Sequence, residues 1–233
     1  MQAKMGTQGA REEQNANSAM YWHDMFNICM CSTIFCLVSL FLYRETDASR
    51  IGFSQEPFYR SGDTTLGSAD LFHKTMLFFE IYLVLDALWV AIIPTCVPTS
   101  PISIVVHHVC TLIMVCVGHY HNNFFAWLSC ITMSVEFNTT ALIARRNVQK
   151  GGLAFQVFNL FFYLSWVFQR LVAFPVISYC AFMEYIAYSE RTGTFYNEVL
   201  IAPVGNVFLT MLTYKWTYDM LFKKKKSDEK KFK

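Results

Sequence analysis

The residues of this chain that can do acid–base or nucleophilic work stand inside apolar runs: the carboxylates Glu80, Asp86 and Glu136, the imidazoles His107 and His108, and the guanidinium of Arg170. An acid at mid-membrane costs about +2.5 to +3.5 kcal/mol, against about −0.3 to −0.6 per Leu, Ile, Phe or Val. Such groups should face the interior of a helix bundle and find partners there. Tyr82 and Asp86, four apart, share one helical face, while Glu80 points roughly 120° away from Asp86. Asp86 therefore reads either as a site carboxylate or as a structural hydrogen-bond partner. His107 and His108 are adjacent and project about 100° apart, so only one of them can point at a given centre. A neutral imidazole is cheap to bury, takes a proton near neutral pH and can attack an activated acyl group.

Two further runs carry polar stripes. Ser129, Thr132, Glu136 and Thr139 or Thr140 recur at spacings of three and four, and so do Gln156, Asn159, Tyr163, Trp166 and Arg170. Helices that each hide a polar stripe from lipid can do so around a shared cavity, or can use the stripes as interhelical hydrogen-bond glue. A cavity of this kind suits an amphiphile, with its head group among the polar residues and its chains among the phenylalanines. His119 and His121 read as interfacial residues. The six histidines form no H-x-x-x-H or H-x-x-H-H set, so no metal is expected.

The elements that position these residues are membrane spans. The 233 residues are 54% hydrophobic and 15% charged, where a soluble domain is about 25% charged. A water-facing surface cannot be built from that, and at about 20 residues per span the length admits six or seven helices. The division expected is a polar tail over 1–24, a first anchor over 25–43, a polar loop over 44–70, a membrane domain over 71–222 and a basic tail over 223–233. Within the membrane domain the apolar runs are roughly 75–93, 102–118, 124–144, 153–174, a segment from Pro175 to Tyr188, and 199–222. Arg44, Arg50 and Arg60 in a cytosolic first loop favour seven spans, with Pro175 dividing the late stretch; Arg145, Arg146 and Lys150 in the cytosol favour six.

The tail KKKKSDEKKFK lacks the aromatic interleaving of a nucleic-acid groove, and its place after a span sets it in the cytosol. Lys230 and Lys231 look like a dilysine retrieval signal read by a coat protein, with lipid anchoring as the alternative. The eight cysteines, without a C-x-x-C pair, read as small buried hydrophobes. The sequon at Asn138 falls in an apolar run and is expected to be unmodified.

In this order, Y-x-x-x-D at Tyr82 and Asp86, the His107-His108 pair, the segment VEFNTTALIARR, QRLVAFP after Trp166 and Trp216 before the basic tail resemble the TLC-domain family of endoplasmic reticulum membrane proteins. The resemblance runs from about 70 to 222. It implies an all-α membrane bundle and, from the ceramide synthase branch, transfer of a fatty acyl group from acyl-CoA to a lipid amine or hydroxyl. That branch carries an acidic stretch after its histidines; here Glu136 is the only acid between His108 and Arg146. On this reading His107 or His108 is the nucleophile or base and Asp86 orients it. Tyr82, Glu136, Arg170, Asn159 and Tyr163 hold the lipid, with no bound cofactor and acyl-CoA as co-substrate. The other reading is a lipid sensor or cargo receptor of the endoplasmic reticulum that does no chemistry, with membrane lipids as its ligands.

Overall fold

The computed structural model describes residues 2–45, 68–97, 100–120 and 122–223; Lys230, Lys231 and most of the first loop lie outside them. Among the described residues eight α-helices follow one another: α1 (Gln2–Glu45), α2 (Ser68–Ile92), α3 (Pro101–Tyr120), α4 (Asn122–Met133), α5 (Glu136–Asn147), α6 (Leu153–Ser165), α7 (Phe174–Thr192) and α8 (Ile201–Tyr218). Among the described residues there is no strand. A π-helical segment, Trp166–Ala173, joins α6 to α7 without a break, and a shorter one, Asp219–Lys223, ends α8. Pro101 opens α3 at a position where its missing N–H costs nothing. Gly193, at φ 69°, closes α7 in the left-handed region that a Cβ disfavours.

Among the described residues five stretches are long and apolar enough to cross a membrane: 14–42, 71–92, 101–120, 153–192 and 198–222. Between the third and fourth of these, α4 and α5 follow one another end to end, interrupted at Ser134–Val135, each too short to be counted among the five. In the membrane such a break leaves carbonyls that need partners. Gln169 Nε2 donates to Ser134 O at 3.2 Å from the π-helical segment and supplies one.

Neighbouring passes run antiparallel, as pairs of contacts along each interface show. His23 meets Asp86 while Phe41 stacks on Phe72. Asp86 meets His108 while Glu80 meets His119. Asp24 meets Arg146 while Phe35 packs on Phe137. Trp166 bonds Thr217 while Ser178 bonds Thr210. With α4 and α5 counted together, the alternation puts the start of the α1 span and the end of α8 at the same face, while the five long apolar stretches among the described residues fall short of the six or seven expected from composition. Pro175 does not divide the late stretch. It stands in the first turn of α7, directly after the i→i+5 turns, where the Phe174 N–H reaches Gln169 O and the chain stays helical through the proline. Single cysteines placed beside Asn15 and beyond Phe222 are therefore expected to react with an impermeant thiol reagent from the same side of sealed vesicles, in a background cleared of native cysteines. Labelling from opposite sides would mean an odd number of crossings.

Lipid-facing positions carry Leu77, Ile81, Val84, Leu85, Leu88 and Ile92 on α2, all exposed. Without a hydrophobic drive between helices inside lipid, close packing holds the passes together. A Cβ on Gly205 would stand 2.3 Å from Met114 Sδ, and one on Gly118 2.5 Å from Ser129 Oγ. Gly205→Val is expected to lower stability by about 1–3 kcal/mol through overpacking of α8 on α3, whereas Val204→Ala on the lipid face should change little. Thermal unfolding in detergent checks this; equal effects would remove the close-approach account.

Candidate functional site

The polar residues that hydropathy picks out converge about two turns below the face that carries both ends of the bundle. Asp86 stands on α2, six residues before its end, which is about 9 Å of helix. Its Oδ1 accepts from His23 Nε2 at 2.8 Å and from Asn27 Nδ2 at 2.9 Å, both on α1. Its Oδ2 faces His108 Nε2 on α3 at 3.4 Å. A carboxylate only accepts, so the imidazole nitrogens that face it carry the hydrogens. His108 Nδ1 is then a lone pair, and it is buried with no hydrogen-bond partner. His107, on the adjacent face of α3, points elsewhere, edge-on to the Trp216 ring with centroids 5.4 Å apart.

From Asp86 the polar chain continues into the bundle. Tyr82 donates its hydroxyl to Asn27 Oδ1 at 2.7 Å. Cys31 Sγ lies 3.4 Å from the Tyr82 hydroxyl and 3.3 Å from Glu136 Oε2. Glu136 opens α5 and is buried, and the Arg170 guanidinium attracts it through the low-dielectric interior. Arg170 is itself buried between the indoles of Trp166 and Trp216, at 5.0 and 5.9 Å from the ring centroids, and donates to Asn138 Oδ1 at 3.1 Å. Asn138, the sequon residue, is wholly buried and donates to Ser165 Oγ at 2.8 Å.

The structure thus brings Asp86, His108, Tyr82, Glu136 and Arg170 into one hydrogen-bonded and electrostatic cluster, with His107 at its edge. It does not bring Asn159 or Tyr163 there. Asn159 accepts from Arg145 at 3.1 Å, and Tyr163 is exposed on the outer side of α6. The stripe expected from Gln156 to Arg170 assumes a single 3.6-residue period. Already within α6 the buried face runs through Phe162, one position before Tyr163, and Ser165, and continues to Trp166 and Arg170, so the stripe expected through Asn159 and Tyr163 is offset by one residue from the face that packs inward. Sequence reasoning missed His23, Asn27 and Cys31, which share a face of α1 at four-residue spacing.

A second polar group sits at the opposite end of the bundle. Glu80 Oε1 meets His119 Nδ1 at 2.8 Å, and His119 Nε2 meets His73 Nδ1 at 2.8 Å. Among the described residues no set of three or more His, Cys, Asp and Glu side chains converges on a metal position. All eight cysteines are free. Among the described residues, further buried polar atoms without partners are His107 Nδ1, Gln169 Oε1, Asn197 Oδ1, Asn206 Oδ1 and Trp89 Nε1. An open groove of about 520 Å³ at the face of the cluster is lined by Asn15, Ser18, Ala19, Trp22, Trp89 and Ile93. The Trp89 ring on its wall stands edge-on to His23, centroids 5.8 Å apart.

Compared with known families, residues 19–221 match a family model described as the TLC domain, a span that takes in α1 with its His23, Asn27 and Cys31. No curated protein and no solved structure matches the chain.

Proposed function

The chain belongs to the TLC-domain family, and from that premise we propose that this multi-pass membrane protein transfers a fatty acyl group to a lipid amine or hydroxyl at the Asp86–His108 pair. The observation that carries the reading is the unpartnered, buried Nδ1 of His108 behind a carboxylate-held Nε2–H. Asp86 fixes the tautomer and would stabilise an imidazolium, which leaves Nδ1 as the base. The acceptor N–H or O–H gives its proton to Nδ1 as its heteroatom bonds the acyl carbon. The acyl–sulfur bond of an acyl-CoA breaks, and the proton passes to the departing thiolate. An acceptor hydrogen bond at Nδ1 would also remove the cost of leaving that atom buried and unpaired.

The basic tail after Phe222 supports a cytosolic position for the face nearest the site, where a water-soluble acyl donor is at hand. Lys230 and Lys231 support retrieval to the endoplasmic reticulum through a coat protein that reads them. Tyr82, Glu136 and Arg170 are the residues we assign to the polar part of the lipid.

A second reading, a lipid sensor or cargo receptor without chemistry, draws on one feature: Glu136 is the only acid between His108 and Arg146. One experiment separates the two. The purified full chain is given acyl-CoA and phospholipid donors with long-chain amine and hydroxyl acceptors, and thiol release and acylated product are measured. Transfer by the native chain, lost in His108→Ala with copurifying lipid retained, supports the enzyme. Lipid binding without transfer across the panel overturns it and leaves the receptor.

A further inference from the structure

Asp86 is held more firmly by α1 than by the histidine it faces. Its Oδ1 takes two short bonds from His23 Nε2 and Asn27 Nδ2, at 2.8 and 2.9 Å, while Oδ2 stands 3.4 Å from His108 Nε2. A carboxylate is planar, so pinning Oδ1 fixes the direction of Oδ2. His23 is 5% exposed and Asp86 2%, so no bulk water competes for these positions. His23 is placed in turn from both sides. Asn27, one turn on, donates to its backbone carbonyl at 3.0 Å, and the Trp89 ring stands edge-on to its imidazole. Its chain neighbour Asp24 is clamped to α5 by Arg146 and by Asn147 Nδ2, the latter at 2.7 Å, so this turn of α1 cannot slide against the bundle. The acyl-transfer reading makes no use of His23, yet an imidazole buried in a membrane helix and aimed at a carboxylate marks a functional position by default.

We propose that His23 is a positioning residue of the Asp86–His108 pair: its Nε2–H anchors Asp86 Oδ1 so that Oδ2 holds the Nε2–H tautomer of His108 and keeps Nδ1 free. The part that concerns turnover rests on the acyl-transfer reading; the part that concerns the His108 tautomer does not. His23 touches neither substrate nor reacting atoms. Its removal therefore acts through Asp86, lowering kcat and leaving KM near its native value.

The test compares His23→Ala, His23→Gln and His23→Asn in the purified full chain, each checked for native thermal stability. The glutamine amide nitrogen reaches about as far as Nε2 and donates; the asparagine amide falls short. His23→Ala and His23→Asn are expected to lower kcat by about 10- to 100-fold, and His23→Gln to restore most of it. In parallel, ¹⁵N-histidine labelling reads the His108 ring directly, its signals assigned by their loss in His108→Gln. The native chain and His23→Gln should show a protonated Nε2 and an unprotonated Nδ1, and His23→Ala a mixture of tautomers. If the native chain transfers no acyl group but the tautomer follows this order, the acyl-transfer reading falls and the positioning role stands. A His108 tautomer unchanged in stably folded His23→Ala overturns the proposal, and so does a His23→Gln that behaves as alanine does.

Discussion

His108→Ala is expected to lower acyl transfer by about 10²- to 10⁴-fold, the range over which a positioned general base acts, while the protein keeps its fold and its bound lipid. The ring lies at the edge of the polar chain and bonds no backbone group, so its removal opens a small void without unpairing a helix. Asp86→Asn should approach the same loss by another route. An amide keeps the shape but presents one oxygen and one NH₂, so it cannot accept from His23 and Asn27 and also from His108 as the carboxylate does. His107→Ala is the contrast: its ring faces Trp216 rather than Asp86, and a loss under about 10-fold is expected, well short of the general-base range. Turnover with a supplied acyl-CoA, measured beside lipid retention, checks all three. Equal losses in the His107 and His108 variants would show that the pair acts by packing, not by the geometry at Asp86.

The largest effect on stability is expected at Arg146. It forms a two-pronged ion pair with Asp24, one prong being Nε to Oδ2 at 2.8 Å, and the Asp24 side chain is 1% exposed. Arg146→Ala leaves that carboxylate buried with, among the described residues, the Asn147 amide at 2.7 Å as its remaining partner, and removing one member of a buried pair costs about 3–5 kcal/mol. Arg145, its neighbour, lies over the Phe162 ring at 4.2 Å and bonds a neutral amide at Asn159. Its loss should cost about 1 kcal/mol. Thermal unfolding of the two variants in the same detergent decides the matter. Similar melting temperatures would mean that Asp24 finds water or a proton when Arg146 is gone, and that the clamp between α1 and α5 is weak.

The bundle was legible in the sequence because polar residues in an apolar run are conspicuous, and four of them, Asp86, His108, Glu136 and Arg170, do meet. The resemblance named the family. The omissions have physical causes. His23 and Asp24 fall just before the apolar run that begins at Met25, so they read as part of a polar tail, although His23, Asn27 and Cys31 repeat at the same four-residue interval as the other stripes. Asn138 is expected to stay unmodified because its sequon falls in an apolar run; its place as a buried partner of Arg170 is not foreseen. The break at Ser134–Val135 falls inside an apolar run with neither Gly nor Pro to mark it, and Pro175 reads as a divider rather than as the sequel to i→i+5 turns. Asn159 and Tyr163 stand out because polarity marks a stripe one position away from the one that α6 buries through Phe162 and Ser165.

The unbroken run from Leu153 to Thr192 has a mechanical consequence. Forty residues at 1.5 Å each make a rod about 60 Å long, roughly twice the hydrocarbon thickness of a bilayer. Such a rod must lean or protrude, and its lean is set by the local thickness of the lipid and by the helices packed on it. Arg170 and Trp166 ride near its middle, against Asn138 on a pass of ordinary length. A thinner bilayer asks the rod to lean further while the shorter pass stays upright, so hydrophobic mismatch is delivered as shear where the guanidinium meets the buried amide.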